Sequence, residues 1–338
     1  MNASSDNFII SASMVIASAV LWGLYGTFVT VLSSMGLSGN ALVFLRMFAT
    51  CVPVGILIGA THRSAFRVRP SDVPLFIANG LLSLLFFTSC YTAAIKVTKI
   101  ATAAALLYTA PAIVMVLSAI LFGERMTARK VLCCLLAVVG CAFASGIGGE
   151  LFAGAGAASG TVAAGSTAAG TAAAGSTAAG TAATGTATAG ASAGLITPVG
   201  LLLGLGAGLG YALYSIFSRI ILNRGYSVYT NVFYSFGVAM IGFFVLACLD
   251  GSIGQVFENP ARTALALLCG LLTGSLAYVL YTTGMKGMET SRAAQLTTIE
   301  PVTAALLGSF LFHQPLSGWE IAGIVMVVAS VVLMNTGD

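Results

Sequence analysis

One acidic residue, Glu300, stands inside a long apolar stretch, where a charged side chain is unusual. It lies about eight residues into that stretch, roughly 12 Å deep at 1.5 Å per residue. If the stretch spans a membrane, this depth is close to the midplane. A carboxylate there costs several kcal/mol unless it is protonated, paired or hydrated. Glu300 is therefore predicted to bind a substrate amine or a coupling proton. The alternative is a structural acid that is hydrogen-bonded to a neighbouring helix.

A second charged residue, Arg46, lies about five residues inside another apolar stretch. From that depth a long arginine side chain can extend to the membrane interface. Two interpretations stay open at this point. Arg46 either binds an anion or takes part in gating, or it anchors its helix at the interface.

Three aromatic residues are predicted to lie at middle depth in the membrane, and each has an apolar ring and a polar N–H or hydroxyl group. They are Trp22, Tyr108 and Tyr211. A buried indole N–H or phenol needs a hydrogen-bond partner, so such residues tend to face a polar cavity. Together they predict a cavity for an amphipathic molecule. Five further tyrosines are expected nearer the two faces, namely Tyr25, Tyr91, Tyr214, Tyr278 and Tyr281.

Two prolines, Pro111 and Pro301, lie near the centres of two apolar stretches. Each removes a backbone hydrogen bond and is expected to kink its helix, which frees carbonyl groups to face a cavity. The alternative is a kink that serves only helix packing. The predicted substrate-binding residues are Glu300, Trp22, Tyr108, Tyr211, Arg46, Pro111 and Pro301.

The elements that must position these residues are membrane-spanning helices. The chain has 338 residues, of which 58% are hydrophobic and 7% charged, whereas soluble domains carry about a quarter charged residues. Because one span needs about 20 apolar residues, roughly 200 apolar residues suffice for about ten spans. The composition therefore excludes a water-soluble globule and gives no support to nucleic-acid binding.

Apolar runs and turn-forming breaks predict an all-α, polytopic membrane protein with ten transmembrane helices. The expected spans lie near residues 11–32, 41–60, 74–95, 101–122, 131–149, 198–220, 229–249, 263–285, 293–312 and 319–335.

The chain also repeats itself. A shift of 190 residues places Tyr91 on Tyr281, Lys96 on Lys286, and the first central proline on the second, without a gap. Residues 1–149 and 198–338 are therefore predicted to be two five-helix repeats. Since five is odd, the two repeats must have opposite orientations in the bilayer, as in many secondary transporters.

A low-complexity segment, residues 150–197, separates the two repeats. It is nearly all Ala, Gly, Ser and Thr, and it lacks the large apolar residues that hold a helix in lipid. It is predicted to be a flexible external linker, with an extra helix as the alternative.

The distribution of Lys and Arg predicts the orientation. If both termini are cytoplasmic, ten of the 14 basic residues fall in cytoplasmic loops and three in external loops, namely Lys96, Lys99 and Arg262. This agrees with the positive-inside rule. We therefore expect a multi-pass protein of the cytoplasmic (cell) membrane.

Several segments of the sequence resemble the motifs of a known family. They are the run YTTGMKGMETSRAAQLTTIEPVTAALLGSFLFHQPLS at 281–317, its repeat partner at 91–127 ending in LFGERMT, Leu21-Trp22-Gly23 and Leu45-Arg46-Met47. They resemble the EamA-type family of the drug/metabolite transporter superfamily. The resemblance implies a ten-helix carrier that moves small metabolites, amino acids or drugs across the cytoplasmic membrane, often outward. The chain departs from the pattern at 313–315, where His-Gln-Pro replaces Gly-Glu-Arg.

The sequence thus predicts a secondary transporter that exports a small molecule by alternating access. The alternative is a non-transporting membrane receptor or scaffold. An intramembrane enzyme is not expected, because it needs paired acids, a Ser/His set or metal ligands, and His62 and His313 lie in loops. No cofactor or metal is expected, and no GxxxxGK[ST] motif is present. The predicted partners are a small-molecule substrate, the lipid bilayer and a coupling proton. The oligomeric state is left open.

Overall fold

The computed structural model describes residues 3–37, 39–61, 63–98, 100–146 and 198–335. All regular secondary structure in these ranges is helical, which confirms the all-α prediction. The predicted linker at 150–197 lies outside the described residues, as do His62 and Lys99.

The helices of the first half are α1 (Ala3–Ser34), α2 (Gly39–Thr61), α3 (Pro70–Val97), α4 (Ala101–Phe122) and α5 (Ala128–Ala144). Those of the second half are α6 (Pro198–Asn223), α7 (Val228–Leu249), α8 (Pro260–Gly287), α9 (Thr290–Leu296 and Ile299–Phe312) and α10 (Gly318–Asn335).

Eight of these helices are long and apolar enough to cross a membrane; α5 and α9 are the other two. Helix α5 has 17 residues, a length of about 26 Å. Helix α9 is interrupted, and its polar side chains include Arg292, Gln295 and Glu300. Their repeat counterparts, α10 and α4, are both among the eight. A ten-span topology is consistent with this structure and stays a prediction.

The packing of the helices follows the repeat. Helix α2 packs on its counterpart α7, and α5 packs on its counterpart α10. Helix α3 packs on α6 as α8 packs on α1, and α4 packs on α6 as α9 packs on α1. Exchanging the two halves therefore reproduces the same set of helix contacts, as expected for repeats related by a two-fold axis.

Irregular turns also recur at matching positions. Helix α3 contains a π-helical turn at Leu81–Leu85, and α8 contains one at Leu271–Leu276. A π turn widens the helix and is frequent at functional sites. Hydropathy gives no sign of these turns, because both fall in apolar segments.

The two central prolines interrupt their helices as expected, but the break comes before the proline. Helix α4 is broken at residues 108–109 and α9 at residues 297–298. Pro111 and Pro301 then lie in the first turn of the next helical segment. A proline is favourable there because the first turn has no use for its missing N–H.

Helices α4 and α9 both end in a left-handed residue. This residue is Gly123 in α4, with φ 68°, and His313 in α9, with φ 51°. His313 is the single non-glycine residue with positive φ in the described ranges. The left-handed conformation costs a residue with a Cβ about 1–2 kcal/mol. The departure from the family pattern at 313 therefore replaces a glycine where glycine fits best.

Replacing His313 with glycine is expected to raise the free energy of unfolding by about 0.5–1 kcal/mol, because relief of the left-handed strain exceeds the extra chain entropy of glycine. Thermal unfolding of the purified protein in detergent measures the change. His313→Ala, which keeps the Cβ, serves as the control and should give no such gain. Equal stabilisation by alanine would show that the backbone conformation is not the cause.

Helices α5 and α10 cross at two glycines. A Cβ on Gly323 would overlap the backbone of Ala144 and lie 2.6 Å from the carbonyl oxygen of Gly140. The two backbones therefore touch directly, as small residues permit in membrane helices.

Gly323→Ala is accordingly expected to lower the free energy of unfolding by about 1–3 kcal/mol, because the helices must separate to admit the methyl group. The control is Gly318→Ala in the same helix, where the added Cβ has no atom within 4 Å. Thermal unfolding should separate the two variants clearly. Similar stability of both would mean that the crossing adjusts freely.

Candidate functional site

An aromatic cavity lies between α1, α3, α6 and α8, at the centre of the helix bundle. It leaves about 10 Å³ for the centre of a water-sized sphere, which is room for about one water molecule. We call it the central cavity. Its lining residues are Trp22, Ser83, Phe87, Tyr211, Tyr214, Ser215, Tyr278 and Tyr281.

Trp22 contacts three of the tyrosines that line this cavity. Its ring centroid lies 4.9 Å from that of Tyr278, 5.3 Å from that of Tyr281 and 6.2 Å from that of Tyr211. These are ordinary edge-to-face or tilted distances. The indole Nε1 of Trp22 and the hydroxyl of Ser83 are both buried without a hydrogen-bond partner in the described structure. Because an unsatisfied buried donor is costly, both groups are available to a ligand or a water molecule.

Glu300 lies at the edge of the central cavity, behind Tyr211. Its side chain is 1% exposed, and the Tyr211 hydroxyl donates to its Oε2 at 3.1 Å. The second oxygen, Oε1, is buried without a partner in the described structure. The break in α9 places Glu300 in the first turn of Ile299–Phe312, where the helix dipole favours a negative charge. One carboxylate oxygen is therefore held by the protein, and the other can accept a bond from a ligand.

A glycine allows α1 to approach this carboxylate. A Cβ on Gly23 would lie 2.9 Å from the carbonyl oxygen of Glu300 and 2.6 Å from the Cβ of Thr303. The close approach brings the neighbouring Trp22 beside α9. This gives the Leu-Trp-Gly motif a physical role that the sequence alone did not assign to its glycine.

Arg46 is buried between α1, α2 and α8, beside the cavity residue Tyr278. It is 2% exposed. Its guanidinium carbon lies 4.2 Å from the ring centroid of Tyr25, and its Nη2 donates to the carbonyl oxygen of Thr273 at 3.2 Å. Thr273 belongs to the π turn of α8. This burial does not fit an interfacial anchor, because an anchor would expose its guanidinium to the headgroups.

The guanidinium of Arg46 has no acidic partner among the described residues. In the described part of the chain, no carboxylate forms an ion pair with it, and its Nε is buried without a partner. It is nevertheless close enough to interact electrostatically with Glu300 and with Tyr278, which lines the cavity. A buried acid and a buried arginine therefore lie beside one aromatic cavity without forming an ion pair in the described residues.

The structure brings together four of the seven predicted site residues. Trp22 and Tyr211 line the cavity, while Glu300 and Arg46 flank it. Tyr108 does not line it but packs against a separate cluster with Cys141 and Val302, because the break in α4 directs it there. Its hydroxyl is still within electrostatic reach of Glu300. Pro111 and Pro301 shape the breaks in their helices and do not line the cavity.

Three tyrosines that were expected nearer the faces are cavity residues instead. The hydroxyl of Tyr214 forms a hydrogen bond with Thr282 at 3.1 Å, and that of Tyr281 forms one with Ser215 at 2.6 Å. The ring centroid of Tyr278 lies 4.8 Å from that of Tyr214. The spacing of Tyr211 with Tyr214, and of Tyr278 with Tyr281, is i to i+3, which places each pair on one helix face. This spacing was the signal in the sequence for an aromatic wall. The described residues include no group of three potential metal ligands.

Comparisons with known proteins agree with this architecture. A model of the EamA-like transporter family matches residues 9–146 and 198–336. An uncharacterized transporter of Archaeoglobus fulgidus is 26% identical over 325 residues, which is 94% of each chain. The uncharacterized transporter YwfM of Bacillus subtilis is 29% identical over 141 residues, 41% of this chain and 46% of its own. One solved crystal structure shares the fold, with a TM-score of 0.67 and 18% identity over 96% of each chain. Because the family match covers both halves, the chain is a multi-pass membrane transporter that belongs to the EamA-like transporter family.

Proposed function

We propose that this protein is a secondary transporter that exports a small amphipathic molecule carrying both an amine and a carboxylate. The observation that supports this most strongly is that two buried ionisable side chains beside the central cavity, Glu300 and Arg46, each keep a polar atom without a hydrogen-bond partner in the described residues. A buried charge without a partner is costly. A zwitterionic ligand with an apolar body satisfies both charges at once.

Each part of such a ligand has a matching group. The amine would donate to the open Oε1 of Glu300, and the carboxylate would accept from the Nε of Arg46. Hydrogen bonds between charged groups are about twice as strong as neutral ones. The apolar body would lie against Trp22 and the tyrosines around it. The ligand class is therefore an amino acid or a similar metabolite with an aromatic or aliphatic side chain.

The size of the cavity supports a mechanism of alternating access. Room for about one water molecule is too little for such a ligand, so the cavity would have to widen to bind it. Contacts between the two halves also lie at both ends of the helices. At one end Lys130 pairs with Glu289 at 2.5 Å, and at the other Asn40 donates to Asp250 at 2.7 Å. Transport would require these contacts to break in turn.

The hydrogen bond between Asn40 and Asp250 is expected to persist at neutral pH. Partial burial opposes the ionisation of Asp250, but hydrogen bonds from Ser252 and Asn40 outweigh it and hold the pKa of Asp250 below its ordinary value. The carboxylate therefore stays charged as an acceptor for Asn40.

The energy source and orientation are further parts of the proposal. With no nucleotide-binding motif in the sequence, transport would be driven by a gradient. A proton that alternates with the substrate amine at Glu300 would couple the two fluxes. We place the protein in the cytoplasmic membrane with both termini in the cytoplasm, since the basic residues are concentrated in the loops on that side.

Flux assays in proteoliposomes test the proposal. The probes are phenylalanine as the zwitterion, phenethylamine as the amine alone and 3-phenylpropionate as the acid alone. We expect phenylalanine to move fastest down an imposed gradient, and faster still when a proton gradient is imposed. Protein-free liposomes measure leakage. If the protein moves none of the probes faster than leakage, or moves all three equally, the proposed ligand class is wrong.

A further inference from the structure

A basic groove lies outside the central cavity, where the loop from α2 to α3 meets the loop from α6 to α7. Its volume is about 710 Å³, within the range of sites for small ligands. Arg67 and Arg69 line it from the first loop, and Arg224 lines it from the second. We call it the arginine groove.

The walls of the arginine groove are fixed by hydrogen bonds between the two halves of the chain. Asp72, which is 6% exposed, accepts from the Tyr226 hydroxyl at 2.6 Å and pairs with Arg224. The same hydroxyl accepts from the backbone N–H of Arg69 at 3.1 Å. This network therefore holds the backbone of Arg69 and the side chain of Arg224.

The arginine groove carries uncompensated positive charge. Asp72 pairs with Arg224, whereas Arg67 and Arg69 form no ion pair in the described part of the chain. Three arginines thus line the groove, and Asp72 is the one carboxylate that pairs with any of them in the described residues. Like charges held together in this way repel one another, and an anion between them would relieve the repulsion.

The internal repeat shows that the fold does not require this charge. The residues 190 positions after Arg67 and Arg69 are Phe257 and Asn259, in the loop before α8. Phe257 is 81% exposed. The corresponding connection of the second half therefore carries an apolar and a neutral polar residue at these positions, and its local structure differs, with a short helix at Gln255–Glu258. The two arginines are a feature of one end of the molecule alone.

The surroundings favour a lipid as the source of the anion. Helix α3 begins directly after the groove segment, and Val73, Ile77 and Leu81 are exposed along one face of it at 42%, 41% and 40%. Residues at i, i+4 and i+8 form one stripe, which in a membrane contacts acyl chains. A molecule with a phosphate head and an apolar tail would contact the groove and this stripe together.

We propose that the arginine groove binds the phosphate headgroup of an anionic phospholipid. Basic pockets between membrane helices on the cytoplasmic side are suited to such headgroups. Assignment to the cytoplasmic leaflet rests on the proposed orientation. Binding of a lipid does not depend on transport activity. The lipid proposal can therefore be tested independently of the proposed function.

Native mass spectrometry of the full-length protein in detergent tests the proposal. The probes are phosphatidylglycerol, phosphatidylcholine and inorganic phosphate, each titrated onto delipidated protein. The groove variant is Arg67→Gln with Arg69→Gln. Its matched control is Arg125→Gln with Lys286→Gln, which removes two exposed charges elsewhere on the same predicted face. Thermal unfolding verifies that both variants are folded.

We expect wild type and the control to bind phosphatidylglycerol in preference to phosphatidylcholine. The groove variant should bind phosphatidylglycerol roughly 20-fold more weakly, because each basic residue near an anionic lipid surface contributes about fivefold. Equal loss in both double variants would mean diffuse attraction to the face as a whole and would overturn the proposal. So would unchanged binding by the groove variant. Binding of inorganic phosphate as tightly as phosphatidylglycerol would show a site for a soluble anion instead of a lipid.

Discussion

Replacing Glu300 with glutamine is expected to reduce phenylalanine flux roughly 10- to 100-fold, because a hydrogen bond to a charged group contributes about 1.5–3 kcal/mol. Glutamine has nearly the same shape and can still accept the hydrogen bond from Tyr211. What it loses is the negative charge at the open oxygen, which the proposed mechanism uses for the substrate amine and for the proton. The variant should also lose the response to a proton gradient.

The measurement is initial flux in proteoliposomes at matched protein density, with and without a pH gradient. Glu320→Gln is the matched control, since Glu320 is also a buried acid of the second half, at 5% exposed. It accepts from the backbone N–H of Ser317 at the start of α10, away from the cavity, and a glutamine can accept the same bond. Normal, pH-responsive transport by the Glu300 variant would remove this residue from the mechanism.

The fold was largely predictable because a bilayer limits the choices. Apolar run length and turn residues predicted ten spans, and eight of them coincide with helices long and apolar enough to cross a membrane. The bounds agree closely for α2, Gly39–Thr61 against 41–60, whereas α1 begins at Ala3, eight residues before the expected start at 11. The irregular turns were not predictable from hydropathy. The π turn at Leu271–Leu276 reads as an unbroken apolar segment, yet it provides the carbonyl oxygen of Thr273 that holds Arg46.

The sequence predicts how deep each candidate site residue lies along its span, but it does not predict which way the side chain points. Position along a predicted span puts Trp22 and Glu300 at middle depth. Which way a side chain points depends on the rotation of its helix, and this is set by packing. Tyr108 has the right depth but turns toward Cys141. Tyr278 was expected nearer a face, yet it contacts Trp22 because α8 packs against α1.

The two open interpretations of Arg46 show the same limit. Five residues of depth permit an arginine to reach the headgroups, so the sequence alone could not exclude an anchor. The structure buries its guanidinium against Tyr25 instead. Burial of a cation under an aromatic ring is favourable, but it leaves the Nε without a partner. That open donor makes Arg46 a candidate for the substrate carboxylate.

Replacing Arg46 with glutamine is expected to lower phenylalanine flux roughly 10- to 100-fold while changing phenethylamine flux much less, because only phenylalanine carries the carboxylate that Arg46 would bind. Arg46→Lys keeps the charge but loses the planar donor geometry, so it should retain part of the preference. The ratio of the two fluxes is the decisive quantity, since it cancels differences in protein amount and in folding.

A structural role for Arg46 predicts a different ratio. The side chain also holds the π turn of α8 through the carbonyl oxygen of Thr273, and loss of that contact alone would slow both probes alike. Arg262→Gln provides the comparison, because Arg262 is buried at 4% exposed and donates to the backbone of Met35, outside the cavity. If Arg46→Gln lowers both fluxes by the same factor, as Arg262→Gln should, then Arg46 supports the helix packing and does not select the substrate.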